Sequence, residues 1–310
     1  MTVLPEAFNS NLRHREYRKM YGECHAHIFM NGYNYKEAVE LHRDHVNEES
    51  IRIWFREYQK RGVTFIRDGG DALGVSVYAR EIAVEYGITY RTPVFAIHKK
   101  GHYGGIVGFG FETMKEYRDL VERVRREKGD FIKIMLTGIM DFEHCGVITG
   151  TSLAPDEIRE MVHIAHEEGF SVMAHVNSAP AVLHAVQAGV DSIEHGNYVD
   201  EECIYAMAES RAVWVPTIAT IRNLIGCGRF PDVEVKRIYE SAAENLRLAY
   251  DRGVRLALGS DAGAFRVPHG QGIEDEYRIF CEILGESEAL RRHLEAGERE
   301  IRERFTVNER

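Results

Sequence analysis

Two histidines stand one residue apart in the stretch GECHAHIFMNG, at His25 and His27. In an extended strand alternate side chains share a face, so both imidazoles would point the same way. Farther along, His175 stands next to last in the run FSVMAHV, His195 ends VDSIEH and Asp261 ends VRLALGSD. Lys133 sits between Ile132 and Ile134 in DFIKIMLTG, a run with little else that is polar. Imidazole nitrogens and carboxylate oxygens are ligands for Zn²⁺, and the same set tolerates Mn²⁺ or Fe²⁺. A lysine in an apolar strand either snorkels its ammonium to a rim or is held as a neutral amine. A neutral amine can form a Schiff base with a carbonyl substrate. It can also react with carbon dioxide to give a carbamate whose oxygens bridge two metal ions. The surrounding histidines favour the carbamate.

These side chains can meet only if distant strand ends come together. Short runs rich in Val, Ile, Phe and Tyr recur along the chain: MYGECHAH, GVTFIRD, ITYRTPVFAIH, DFIKIML, FSVMAHV, VDSIEH, AVWVPT and VRLALGSD. Such runs read as strands. Between them lie amphipathic stretches. In ETMKEYRDLVERVRREKG, Met114, Tyr117, Val121 and Val124 recur at helical spacing and Gly129 follows as a stop. APDEIREMVHIAHEEG has Pro155 in its first turn and ends at Gly169, and SAPAVLHAVQAG repeats that design with Ser178 as the cap. Eight strands alternating with helices over roughly 250 residues predict an α/β fold, a (β/α)8 TIM barrel. A doubly wound open sheet is the rival, but no G-x-G-x-x-G follows the first strand. Active sites of such barrels lie at the C-terminal strand ends, which is where His25, His27, Lys133, His175, His195 and Asp261 fall.

Composition narrows the function classes. The 310 residues are 44% hydrophobic and 28% charged, an ordinary balance for a folded soluble chain. No apolar run approaches the ~20 residues of a membrane span, and the polar start MTVLPEAFNSNLRHREYRKMYG is no signal peptide. A net charge of −10 argues against a nucleic-acid or anionic-membrane partner. Five scattered cysteines without a C-x-x-C pair read as reduced thiols, which places the protein in the cytoplasm. The expected partner is a small-molecule substrate, with assembly into a homo-oligomer left open.

With GECHAHI, GVTFIRDGG, FIKIMLTG, VMAHVNSAPAVLHAVQAGVDSIEHG, VPT and LALGSDAG in hand, the chain resembles the amidohydrolase superfamily. The likeness is to its carbamylated-lysine, binuclear-metal members related to imidazolonepropionase and prolidase-type peptidases. That resemblance implies two divalent ions, foremost Zn²⁺. His25, His27 and Asp261 would hold the more buried ion and His175 and His195 the more exposed one. Carbamylated Lys133 and a hydroxide would bridge them, with Asp261 as general base and then general acid. The implied reaction is hydrolysis of a C–N (amide) bond. A cyclic-amide hydrolase of the imidazolonepropionase kind and a Schiff-base lyase through Lys133 are the alternatives.

Two departures from the family pattern stand out. The accessory β-sandwich of most relatives is not evident. Residues 1–310 therefore read as one barrel with a short N-terminal arm and a charged C-terminal helix, EALRRHLEAGEREIRERFTVNER. After the third strand, HKKGHYGG replaces the TGGHG-like loop of related peptidases, bringing His98, His102 and Tyr103 to the mouth beside Lys99 and Lys100. Arg222 and Arg266 follow the seventh and eighth strands. Cations gathered at the mouth of an acidic protein would favour an anion, and arginine pairs well with carboxylate. The expected substrate is a small carboxylate-bearing dipeptide or N-acyl amino acid. RDGGD after the second strand should shape the mouth, with Arg67 or Asp68 supporting the ligands.

Overall fold

Among the described residues nine short strands carry the architecture: β1 (Glu23–Ala26), β2 (Phe65–Asp68), β3 (Thr89–Arg91), β4 (Ala96–Lys99), β5 (Gly108–Phe111), β6 (Ile132–Met135), β7 (Val172–Val176), β8 (Ser192–His195) and β9 (Val213–Val215). This is a computed structural model, which describes residues 21–307. The N-terminal arm expected ahead of the first strand lies outside the described residues. The strands form two parallel sheets, ordered β1-β2-β3 and β5-β4-β6-β7-β8-β9. Helices connect most successive strands, as parallel pairing requires.

Three features depart from the eight-strand reading. ITYRTPVFAIH is broken into β3 and β4, because Pro93 has no N–H for a ladder and Val94 takes a left-handed φ of 70°. The backbone groups at the break are met by one carboxylate and by a backbone N–H. Thr92 N–H donates to Asp130 (2.9 Å), and Val94 carbonyl accepts from Asp71 N–H (3.1 Å). VRLALGSD forms no ladder strand. It bridges Trp214 at Leu256, and Ala262, just past its end, bridges Ala26. Cys24 N–H donates to Leu258 carbonyl (3.0 Å) and Asp261 N–H to His25 carbonyl (2.8 Å), so residues 255–261 lie between β9 and β1. The third departure is β5, a glycine-rich GFGF edge strand. A Cβ at its Gly108 would stand 1.7 Å from the Ala96 carbonyl oxygen, so only glycine pairs there.

The helices at Met114–Arg126, Pro155–Glu167 and Ala179–Ala188 appear where their periodicity places them. Ser178 precedes the last of these at φ 74°, but its side chain makes no cap bond. The charged tail forms the helix Glu288–Arg304, buries Leu290, Leu294 and Ile301, and closes on residues that immediately precede strands. Ser171 hydroxyl donates to Arg304 carbonyl (2.8 Å), Arg304 pairs with Asp191 (2.5 Å) and Gly22 N–H donates to Glu298 (2.8 Å). Beneath the strands Phe65, Phe131, Met173, Val215, Ile301 and Phe305 share one apolar cluster.

Candidate active site

The opposite, C-terminal strand ends surround a cavity of about 920 Å³, and His25, His27, Lys133, His175, His195 and Asp261 all line it. His25 and His27 come from β1 and its end, Lys133 from β6, His175 from β7, His195 from the last position of β8. Asp261 comes from the segment beside β1. Its Oδ1 lies 3.6 Å from both His25 Nε2 and His27 Nε2. The His175 and His195 ring centroids are 4.7 Å apart, and those of His25 and His195 are 5.0 Å apart. Ligand atoms of His25, His195 and Asp261 all fall within 4.8 Å of one another. That tight trio crosses the two ion sites that the family resemblance separates.

Four buried polar atoms in this cluster have no hydrogen-bond partner: His25 Nε2, His27 Nδ1, Lys133 Nζ and Asp261 Oδ1. Each such atom costs on the order of 1–3 kcal/mol when left unpaired. Nitrogen and carboxylate-oxygen donors lining one cavity are a chemical fit for divalent cations.

Neighbouring groups aim the imidazoles. His25 Nδ1–H donates to Glu194 Oε2 (2.7 Å), which leaves the Nε2 lone pair free for a ligand. Glu194 is held in turn by Arg67 (2.8 Å) and by Ser192 Oγ (2.5 Å), and Arg67 also binds Ser192 Oγ (2.8 Å) and the Cys24 carbonyl (2.7 Å). His195 Nδ1 bonds Thr217 Oγ1 (2.7 Å), and His175 Nε2 donates to the Gly138 carbonyl (3.0 Å). His195, Thr217 and Asp261 all adopt left-handed backbone, with φ of 68°, 53° and 60°. Strained backbone of this kind concentrates at functional sites. At His195 it turns the side chain off the alternation of β8, so the neighbours Glu194 and His195 both reach the cluster. Gly69 is required too, because a Cβ there would stand 2.3 Å from His27 Cε1. Asp68 fastens the backbone around it, accepting from Ile28 N–H and Gly70 N–H (both 2.7 Å).

Burial sets the protonation states. It pushes Lys133 down to about 8, against the pull of Glu194. His27 and His175 fall to about 3, by burial first and the Lys133 charge second, and His25 and His195 also lie well below the usual range. The imidazoles are therefore neutral, as metal ligands must be. Burial raises Asp261 to about 7, with Lys133 opposing.

The residues expected to hold substrate divide. His102 and Tyr103 line the cavity, and the Tyr103 ring lies 5.2 Å from that of His175. His98 is not on the wall; its ring packs at Gly104 and Gly110, where no Cβ would fit. Arg222 turns away to Tyr239, 5.7 Å from the ring centroid, and the exposed Arg266 does not reach the cavity. Lys99 pairs with Glu157, and Lys100 lies 3.5 Å from Glu116, so their charges are matched locally. Glu194 and Arg229 are the residues that sequence reasoning missed. Glu194 stands beside a predicted ligand in SIEHG, and the arginine that does line the cavity is Arg229, in GCGRF.

A parallel α/β architecture thus gathers imidazoles, an amine and a carboxylate around one cavity. The chain matches the amidohydrolase family over residues 23–284, and it belongs to that family of enzymes. It is similar to an uncharacterized protein of Mycobacterium tuberculosis, with 32% identity over 127 residues, 39% of this chain and 34% of that protein. It is also similar to ochratoxinase of Aspergillus niger, with 25% identity over 194 residues, 59% of this chain and 38% of that enzyme. The chain thus spans little more than a third of the length of these curated relatives. Among solved structures, a Xaa-Pro dipeptidase with bound methionine superposes with TM-score 0.73 at 21% identity, covering 94% of this chain and 77% of that one. The A. niger ochratoxinase structure gives TM-score 0.71 at 20% identity, covering 90% and 69%. At these identities both likenesses speak to the fold. Among the described residues no helix is long and apolar enough to cross a membrane.

Proposed function

We propose that this chain is a metal-dependent hydrolase of C–N (amide) bonds in carboxylate-bearing N-acyl amino acids or dipeptides, working in the cytoplasm. The reading takes the strands as a (β/α)8 barrel, with β3 and β4 as halves of one broken strand and residues 255–261 as the last. The observation that carries it is the set of four unpartnered buried atoms on His25, His27, Lys133 and Asp261, all on residues that line one cavity. His25, His27, His175, His195 and Asp261 would hold two divalent ions, with Zn²⁺ suited to these donors and Lys133, as its carbamate, between them. Bound there, such ions lower the pKa of water and polarise a carbonyl.

The chain's own groups supply the remaining steps. Asp261 stands where its carboxylate can take the proton of an attacking water and deliver it to the departing amine nitrogen. Glu194 keeps His25 in the tautomer that exposes Nε2. Tyr103, whose ring lies beside His175, would donate its hydroxyl proton in a hydrogen bond to a substrate carbonyl or carboxylate. The test is a panel of dipeptides, N-acyl amino acids and lactams incubated with metal-replete protein, scored by amine release. Chelator-sensitive cleavage of the acyclic amides is expected. Cleavage of lactams alone would move the reading to a cyclic-amide hydrolase. Borohydride trapping of a carbonyl substrate on Lys133 would replace it with a Schiff-base lyase.

A further inference from the structure

The candidate ligands account for only part of the cavity wall. About 920 Å³ is the upper range for a site that buries a drug-sized molecule, and a small dipeptide leaves most of it unfilled. One side of the remaining wall is apolar: Met140 and Phe142 follow β6, Leu224 and Phe230 follow β9, and Phe265 follows Asp261. These five belong to one cluster separate from the main core, and the Phe142 and Phe230 ring centroids are 5.2 Å apart.

One exposed guanidinium, that of Arg229, stands over this apolar wall. The Arg229 guanidinium carbon lies 4.6 Å from the Phe265 ring centroid and 5.2 Å from that of Phe230. Left-handed turns at Gly226 and Gly228 carry it, and Gly226 N–H is fastened to Asp232 (2.8 Å). Unlike Lys99 and Lys100, Arg229 has no carboxylate partner among the described residues. A guanidinium stacked on rings keeps its N–H edge for a planar anion, and carboxylate matches that edge with two hydrogen bonds.

We infer that Arg229 is the specificity determinant that binds the substrate carboxylate, while Phe142, Phe230 and Phe265 receive an aromatic group beside it. The preferred substrates are then N-acyl derivatives of aromatic amino acids. This rests on the amide-hydrolase reading, which supplies the scissile bond. Lys36 also lines the cavity and is the competing cation.

Probes without an amide bond separate binding from hydrolysis. Titration calorimetry on metal-replete protein would compare 3-phenylpropanoate with 3-phenylpropan-1-ol, which lacks the charge, and with propanoate, which lacks the ring. The native protein should bind 3-phenylpropanoate at least about tenfold more tightly than either. Arg229→Met should weaken the acid by about 10- to 100-fold and leave the alcohol unchanged, with Arg229→Lys restoring part of the loss. Phe265→Ala should weaken 3-phenylpropanoate more than propanoate, and Lys36→Met should leave the order intact. The inference is overturned if the native protein shows no such preference, or if the preference survives Arg229→Met. Its loss in Lys36→Met, or in His25→Ala while Arg229→Met keeps it, would place the carboxylate on Lys36 or on the metal ligands instead. Failure of the hydrolase reading has a different signature: an Arg229-dependent preference in a protein that cleaves no amide.

Discussion

The two ends of the strands obey opposite rules. At the N-terminal end the helix Glu288–Arg304 closes over the fold, and Ser171, Asp191 and Gly22 are each bonded to it. Asp191 binds Arg304, His166 and Val172 N–H at once, and Phe131 and Phe305 pack with ring centroids 5.4 Å apart. At the C-terminal end four buried polar atoms stay unpaired, and His195, Thr217 and Asp261 hold left-handed backbone. A fold selected only for stability would not keep both the unpaired atoms and the strain. The base supplies the rigidity that the mouth spends on chemistry, so mutations at the two ends should fail in different ways.

The sharpest separation comes from Asp261→Asn. The amide cannot carry a proton from water to a leaving group, so turnover should fall by about 10²- to 10⁴-fold while substrate binding and the unfolding midpoint change little. Near-native turnover would mean that another group moves the proton. Next in size is Glu194→Gln. Without a carboxylate to hold the His25 Nδ1–H, metal affinity should drop by about 10- to 100-fold, read by competition with a chelating dye. This variant also leaves Arg67 buried beside a neutral partner, so a loss of stability should accompany the loss of metal.

At the base the expected effect is smaller and of another kind. Asp191→Asn should lower unfolding free energy by about 1–3 kcal/mol, measured by urea titration, with activity per folded molecule preserved. Burial alone would raise the Asp191 carboxyl, but His166, the Val172 N–H and Arg304 bring it below its usual 3.8. A carboxyl with a depressed folded pKa stabilises above its unfolded pKa and loses that contribution as pH falls through the folded value. The gap between native protein and Asp191→Asn should therefore be full at neutral pH and shrink below about pH 4. A loss of turnover with unchanged stability would blur the distinction between the two ends.

How much of this was legible beforehand depended on what kind of signal each residue left. His25, His27, Lys133, His175, His195 and Asp261 could be read because charged or ligating side chains are rare at the ends of Val- and Ile-rich runs. Glu194 was hidden by strand alternation, which sends neighbours to opposite faces; the left-handed turn at His195 that defeats the rule is not written in SIEHG. Pro93 was passed over when ITYRTPVFAIH was read as one strand, although a proline inside a run marks a break, and GFGF has too little side chain to read as a strand. The mouth arginines misled for a different reason. Loop residues have no periodicity, and only the packing of Arg229 between Phe230 and Phe265 distinguishes it from Arg222 and Arg266.

The central claim is that the unpartnered cluster is a binuclear metal centre, and elemental analysis of purified active protein tests it most directly. Close to two divalent ions per chain are expected, fewer in His25→Ala and His175→Ala, and loss of the pair in Lys133→Ala. Protein that cleaves amides at full rate with no bound metal would contradict it.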